Sequence, residues 1–148
     1  MNTQLIITVS IVLGLLFLFF ISAMVFSKTR RNLDRIIQER FNKEELIGAT
    51  TRSNFFGIKS RGGAQIRGNG ALVLTKDAIY SIRSFPRNEF KIPIHSIRSV
   101  SMPKAFNGKS VFVPLLCVNF DTGYGEDSIA WALKDARKWK EAIEKMTT

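Results

Sequence analysis

The sequence predicts an α+β protein that is mainly β: an N-terminal membrane-spanning helix, then a small seven-stranded β-barrel or sandwich closed by a C-terminal helix. Three observations predict this architecture. Residues 5–26 form an apolar run without charge or proline. About seven short strand-like segments follow, separated by turn-forming residues. Residues 135–146 then carry apolar side chains at helical spacing.

The apolar run, LIITVSIVLGLLFLFFISAMVF, is long enough to cross a bilayer. At about 1.5 Å per residue, a helix of this length spans the roughly 30 Å hydrocarbon core. A cleaved signal peptide is the alternative, with Ile21-Ser22-Ala23 as a weak cleavage site. However, the run lacks a basic leader and exceeds the usual apolar core of about 7–15 residues, so a membrane anchor is favoured.

The basic residues that flank this helix predict its orientation. Four of them follow the apolar run closely, whereas no basic side chain precedes it: Lys28, Arg30, Arg31 and Arg35. The positive-inside rule places such a flank in the cytoplasm. We therefore expect a single-pass protein of the plasma (inner) membrane, with its N-terminus outside and its C-terminal domain in the cytoplasm.

The chain divides into an anchor (residues 1–27), a charged juxtamembrane helix or linker (residues 28–46) and a folded domain (residues 47–148). Within the linker, one helical face carries apolar side chains, namely Leu33, Ile36, Ile37 and Phe41. This segment can continue the membrane helix, lie in the membrane interface or pack on the domain. Because acidic residues are mixed with the basic ones, a plain connecting helix is the favoured interpretation.

The formal net charge is +10, and most of the excess belongs to the domain. Residues 27–49 contain six Lys/Arg against four Asp/Glu, and residues 50–148 contain sixteen against eight. A basic cytoplasmic face is attracted to anionic head groups, by about 1 kcal/mol for each well-placed Lys or Arg. Alternatively, the charges serve only solubility and orientation.

The domain contains strand-like segments at fairly regular intervals. They comprise residues 54–59, 71–75, 78–83, 90–94, 97–102 and 128–133, together with an apolar run at 111–120 that Pro114 is expected to interrupt. The predicted turns are Gly68-Asn69-Gly70, Lys76-Asp77, Pro86-Arg87-Asn88, Asn107-Gly108 and the loop at 121–125. Strands of this number and length favour a small barrel or sandwich.

The last segment predicts an amphipathic helix with Asp135 as its N-cap. Trp139, Ala142, Ile143 and Met146 lie on one face. We expect this face to close one open end of the β-structure, with Trp139 as the largest side chain. Trp131 alternates with small residues on the preceding strand and is also expected to be structural.

This pattern resembles the pleckstrin-homology-like (PH-like) superfold, in its bacterial PH-like and GRAM-like forms. The resemblance rests on the strand pair at 70–82 with its Lys76-Asp77 reversal, the F-K-I-P-I segment at 90–94 that leads to a strand at 97–100, and the helix with Trp139. It implies seven strands in two nearly orthogonal sheets, with the C-terminal helix over one end. It covers about two thirds of the chain.

Lipid-binding PH domains hold head groups with basic residues in the loop between their first two strands. The resemblance therefore implies candidate lipid-binding residues in that loop, namely Lys59, Arg61 and Arg67. The basic stretch at residues 83–88 adds Arg83 and Arg87 as candidates. PH-like folds also serve as protein-binding modules. The first hypothesis is a non-enzymatic scaffolding module that binds proteins in a membrane assembly, such as an export or transport complex. The alternative is a clamp for anionic phospholipid head groups.

No catalytic constellation is visible in the sequence, so we expect no enzymatic activity, cofactor or metal. His95 is the only histidine and Cys117 the only cysteine. The spacing of Asp121, Glu126 and Asp127 matches no calcium loop. Nucleic acid is not an expected partner, because the chain is tethered to a membrane and its phenylalanines fit positions in a core.

Overall fold

The computed structural model describes residues 2–148, which form two compact units divided between Asn32 and Leu33. Helix α1 (Thr3–Arg40) begins in the first unit and ends in the second. Among residues 2–148 it is the one helix long and apolar enough to cross a membrane, and its side chains at 5–26 are exposed. Its length and composition fit a membrane anchor.

The last two turns of α1 belong to the second unit. Leu33 and Ile37, with Phe41 just beyond the helix, are buried in an apolar cluster against the sheet residues Ala71, Val73 and Ile82. The Phe41 ring meets that of Tyr80 edge to face, with centroids 4.9 Å apart. The juxtamembrane segment therefore both continues the first helix and packs on the domain, two of the options that the sequence left open.

An ion pair adds to this contact between helix and sheet. The guanidinium of Arg40 donates two hydrogen bonds to the carboxylate of Glu89, at 2.6 and 2.8 Å. These bonds hold the pKa of Glu89 below its usual value. Both side chains are exposed, so we expect the pair to orient the end of α1 more than to stabilise the domain.

The rest of the second unit consists of nine strands, one α-helix and two short 3-10 helices, Lys59–Arg61 and Ile94–Ser96. The strands are β1 (Leu46–Ile58), β2 (Gly68–Thr75), β3 (Ala78–Arg83), β4 (Asn88–Pro93), β5 (Ile97–Ser101), β6 (Ala105–Phe106), β7 (Lys109–Ser110), β8 (Leu116–Asp121) and β9 (Glu126–Leu133), and the helix is α2 (Ala136–Thr147). The predicted α+β, mainly β fold class is confirmed. The residues on either side of Pro114 lie outside the strands, as expected.

Seven of the strands form one antiparallel sheet in the order β4-β3-β2-β1-β9-β8-β5, and β6 and β7 form a separate hairpin. Strand β1 pairs with β2 over most of its length and with β9 over residues 53–58. Register shifts interrupt both pairings of β1, and such bulges bend a strand. The sheet is thus a β-sandwich in which β1 is common to both halves.

The interior of the sandwich is filled mainly by alternate side chains of the strands. Trp131 of β9 is fully buried there, and its indole N–H donates a hydrogen bond to the Ser81 hydroxyl at 2.8 Å. Helix α2 contributes the buried Ala136 and Ile143 to the same cluster. Trp139 packs against this core but is only half-buried. The predicted C-terminal helix is therefore present. The tryptophan that is fully buried in the core is Trp131 of β9, whereas Trp139 of α2 is only half-buried.

Asp135 precedes α2 without capping it through its side chain. The residue adopts a left-handed backbone, with φ 61°, and its carboxylate makes no capping hydrogen bond. Its main-chain carbonyl accepts bonds from the N–H groups of Lys138 and Trp139. The predicted side-chain cap is therefore absent.

The predicted turn at residues 68–70 is wrong, because these residues are the first three of β2. Gly70 lies opposite Arg83 of β3 and Ser53 of β1. A Cβ atom at position 70 would lie 2.3 Å from the carbonyl oxygen of Ile82. The glycine is therefore needed for close approach of two strands, a role that a turn pattern in the sequence does not distinguish.

Replacing Gly70 by alanine is expected to destabilise the second unit by about 1–3 kcal/mol, because the new methyl group must push β3 away from β2. Gly48→Ala is the matched control, since a Cβ there meets the Trp139 ring at an ordinary 3.6 Å. Urea unfolding of both variants measures the difference. Equal stabilities would contradict this interpretation of Gly70.

Candidate binding surface at the loop end of the sheet

Three connections between strands meet at one end of the sandwich: residues 59–67 between β1 and β2, residues 84–87 between β3 and β4, and residues 122–125 between β8 and β9. The strand register brings them together. Gly70 at the start of β2 pairs with Arg83 at the end of β3, and Ile58 at the end of β1 pairs with Ile129 near the start of β9. We call this surface the loop end.

The β1–β2 connection is held in place by side chains from two parts of the chain. Gln65 accepts a hydrogen bond from the Ile58 N–H at 3.0 Å and donates to the carbonyls of Ile58 and Gly62. Asn107 donates to the same two carbonyls, at 3.0 and 3.2 Å. Asn107 and Gly108, both with positive φ, form the tight turn of the β6–β7 hairpin. The hairpin therefore supports the loop end from one side.

A second support joins this connection to β9. Asp127 accepts hydrogen bonds from the N–H and the hydroxyl of Ser60, at 3.0 and 2.5 Å. Partial burial by itself would raise the pKa of Asp127, but the hydrogen bonds from Ser60 and Ser128 outweigh it and hold the pKa below its usual value. The Asp127 carboxylate is thus occupied by hydrogen bonds within the domain.

Four of the five predicted lipid-binding residues are exposed at or beside the loop end: Lys59, Arg61, Arg67 and Arg87. The guanidinium of Arg67 lies 4.0 Å above the ring of Phe56, and its Nε donates to the Asn54 side chain at 3.3 Å. That of Arg61 lies 5.4 Å from the centre of the Phe90 ring. These contacts leave the positive charges at the surface of the domain.

The fifth residue, Arg83, is only 7% exposed. Its guanidinium lies 4.5 Å from the centre of the Phe55 ring and donates a 2.9 Å hydrogen bond to the Ile66 carbonyl. Its Nε is buried and has no hydrogen-bond partner among residues 2–148, and burial lowers its pKa. Arg83 thus connects β3 to the β1–β2 connection from inside the domain and adds little to the exposed basic surface.

The loop end also presents three large apolar or aromatic side chains that the sequence analysis did not select. Ile66, Phe85 and Tyr124 are 69%, 80% and 102% exposed, and each belongs to a different connection. Each is flanked by residues that favour turns or solvent, so none belongs to an apolar pattern. In the sequence, a large apolar side chain isolated between turn-forming residues was the pattern that could have indicated each of these three residues.

The other predicted site residues lie elsewhere. Lys28, Arg30 and Arg31 are on α1 within the first unit. Arg35 is on the part of α1 within the second unit, where its Nε lies 3.8 Å from a carboxylate oxygen of Glu39. Both Arg35 and Glu39 are exposed.

The residues considered for catalysis or metal binding do not come together. His95 lies on a short helix between β4 and β5. Cys117 is buried in β8, and burial raises the pKa of its thiol. Within residues 2–148, no group of three or more His, Cys, Asp or Glu side chains is arranged to hold a metal ion.

Comparison with known proteins does not show a family for this chain. No protein-family model matches it, and no curated protein matches it. One similar solved structure is described as "Mutations in SsgB correlate to longitudinal cell division during sporulation of Streptomyces coelicolor". The two chains are 14% identical with a TM-score of 0.28, over 67% of this chain and 86% of that chain.

Proposed function

We propose that this protein is a membrane-anchored, non-enzymatic binding module with a PH-like domain, and that its loop end contacts anionic phospholipid head groups. Helix α1 would cross the plasma membrane, with the N-terminus outside and the domain in the cytoplasm. The length of the apolar run and the basic flank that follows it support this arrangement. Seven antiparallel strands followed by one helix support the PH-like fold.

The observation that carries the proposal is the composition of the loop end. It combines exposed basic residues with exposed apolar side chains on connections that the rest of the domain holds in place. Basic groups near a bilayer are attracted to anionic lipids. The sequence alone put a protein partner first, and the clustering of these features at one end favours lipid instead.

A protein partner remains the second candidate because β4 and β5 are the two edges of the seven-stranded sheet. An edge strand has main-chain groups free to pair with an added strand, a common mode of peptide recognition. In this version the domain would scaffold a membrane complex through one of these edges.

The absence of enzymatic activity is part of the proposal, and Cys117 supports it. A cysteine nucleophile reacts as the thiolate, which requires a lowered pKa and access. Cys117 has the opposite environment, because it is buried and its pKa is raised.

Reversing three exposed charges of the loop end is expected to weaken its contact with lipid. The variant Lys59→Glu/Arg61→Glu/Arg87→Glu is tested as full-length protein in nanodiscs with about 30% anionic lipid, by hydrogen exchange of residues 59–68 and 84–88. At about 1 kcal/mol for each lost attraction, the equilibrium constant for contact should fall by at least about 100-fold. Protection of the native loops should also fall at high salt.

The matched control carries the same charge change far from the loop end, as Lys76→Glu/Lys138→Glu/Lys145→Glu. These side chains lie at the β2–β3 turn and on α2 and are exposed. Equal effects of the two triple variants would mean that only net charge matters. Loops that exchange equally fast in neutral and anionic nanodiscs would overturn the lipid proposal and direct the search to a protein partner.

A further inference from the structure

We propose that the loop end inserts into the bilayer: Phe85, Ile66 and Tyr124 enter the interfacial layer, below the head groups that the basic residues contact. This inference rests on the proposed lipid contact and adds how that contact is made, namely by insertion of apolar side chains. It predicts a contact that salt weakens only in part, because apolar burial is not screened by ions as surface charge is.

Contacts between neighbouring segments link the three connections that carry these side chains. The carbonyl of Ile66 accepts the hydrogen bond from Arg83, the last residue of β3 before the β3–β4 connection. A Cβ atom at Gly68 would lie 2.8 Å from the carbonyl oxygen of Phe85, so the start of β2, directly after the β1–β2 connection, lies against the β3–β4 connection. The hydrogen bonds between Ser60 and Asp127 join the β8–β9 hairpin to the first of them.

The chemistry of these side chains fits a membrane interface. Phe and Ile favour an apolar environment, and Tyr is enriched where the chain meets head groups, since it has an apolar ring and a polar tip. In water, exposing three such residues at one end of a small domain is unfavourable. Insertion would remove them from water without changing the fold.

The charges around these residues suit an anionic bilayer. Lys59, Arg61 and Arg87 are exposed on the connections that carry Ile66 and Phe85. Two nearby carboxylates are used internally, since Asp121 pairs with Arg98 at 2.8 Å and Asp127 holds Ser60. Glu126 is the exposed carboxylate left at the base of the β8–β9 hairpin.

The same surface is poorly suited to caging one particular head group. The guanidinium of Arg83 is buried beneath the β1–β2 connection, and that of Arg67 is stacked on Phe56. Burial withholds the first guanidinium from a phosphate group, and stacking restricts the orientation of the second. Recognition would therefore depend on apolar insertion and on the diffuse charge of the bilayer, so different anionic lipids of equal charge should serve equally well.

The test measures the depth of each side chain in the full-length protein. Single variants Phe85→Cys, Ile66→Cys and Tyr124→Cys carry a nitroxide label in nanodiscs of phosphatidylcholine with about 30% phosphatidylglycerol. Lys76→Cys is the control at the opposite end of β2. The native chain is the labelling blank, because its Cys117 is buried. Power saturation compares accessibility to oxygen, which concentrates in lipid, with accessibility to a water-soluble nickel chelate.

We expect the oxygen-to-nickel accessibility ratio at positions 66, 85 and 124 to exceed that at position 76 by at least about threefold, and to stay high in about 0.5 M salt. Because a label can itself enter lipid, a label-free variant completes the test. In Phe85→Ser/Ile66→Ser/Tyr124→Ser, the loops should lose the part of their hydrogen-exchange protection that resists salt. Circular dichroism verifies that this variant is folded.

Two results would overturn the insertion. If all three positions remain as water-accessible as position 76 while the loops show salt-sensitive protection, the lipid contact stands without insertion. If the loops are protected only in native membranes and not in nanodiscs, they bind a protein, and both the insertion and the lipid contact are wrong.

Discussion

A fragment that begins at residue 42 is expected to be largely unfolded, whereas one that begins at residue 28 should fold. The shorter fragment lacks Leu33, Ile37 and Phe41, whose side chains are buried against β2 and β3. At about 1.5–3 kcal/mol for each buried apolar side chain, their loss approaches the whole stability of a small domain, about 5–15 kcal/mol. Circular dichroism and urea unfolding of the two fragments measure the difference.

Substitutions in the longer fragment test whether the buried side chains at the end of α1, and not the length of the fragment, stabilise the domain. Leu33→Ala/Ile37→Ala/Phe41→Ala should reproduce most of the loss. Gln38→Ala/Glu39→Ala, on exposed positions of the same helix, should have little effect. A fragment from residue 42 with an unchanged unfolding midpoint would show that these side chains contribute little to the domain.

Replacing Trp131 by alanine should lower the free energy of unfolding by about 3–5 kcal/mol, the usual range for truncating a large buried aromatic side chain. The indole is fully buried at the centre of the sandwich, so its removal leaves a cavity. It also deprives the buried Ser81 of its hydrogen-bond donor, which adds to the cost. Urea unfolding gives the value directly.

Trp139→Ala is the matched control on α2. That indole is half-buried over Gly48, so its truncation leaves a site that solvent can refill. We expect a smaller loss than for Trp131→Ala. If the order of the two losses were reversed, Trp139 would be the main aromatic support of the fold, as its place on an amphipathic helix suggested from sequence.

Local patterns in the sequence predicted most elements of the domain. The strand at Ala78–Arg83 and the final helix followed from periodicity and from adjacent turn residues. The prediction was wrong at residues 68–70, because a glycine in a turn and a glycine where two strands approach closely look alike in a sequence. The distinction depends on Ile82, which is a neighbour only in the folded sheet.

The candidate binding surface was predictable only in part, for the same physical reason. Basic residues in loops are visible in a sequence, and four of the five proved exposed. The burial of Arg83 depends on Phe55 and on the Ile66 carbonyl, which lie on other segments. Similarly, Ile66, Phe85 and Tyr124 are far apart in the chain, and only the strand order brings them to one end.

The central position of β1 has a consequence for the synthesis of the protein on the ribosome. Ser53 of β1 pairs with Leu133 of β9, so the two halves of the sheet close only after β9 has been made, about 80 residues after β1. Until then, one edge of β1 lacks its partner, and such edges are prone to aggregate. The second unit can therefore complete its folding only after β9 has left the ribosome, and the unpaired edge of β1 is exposed until then.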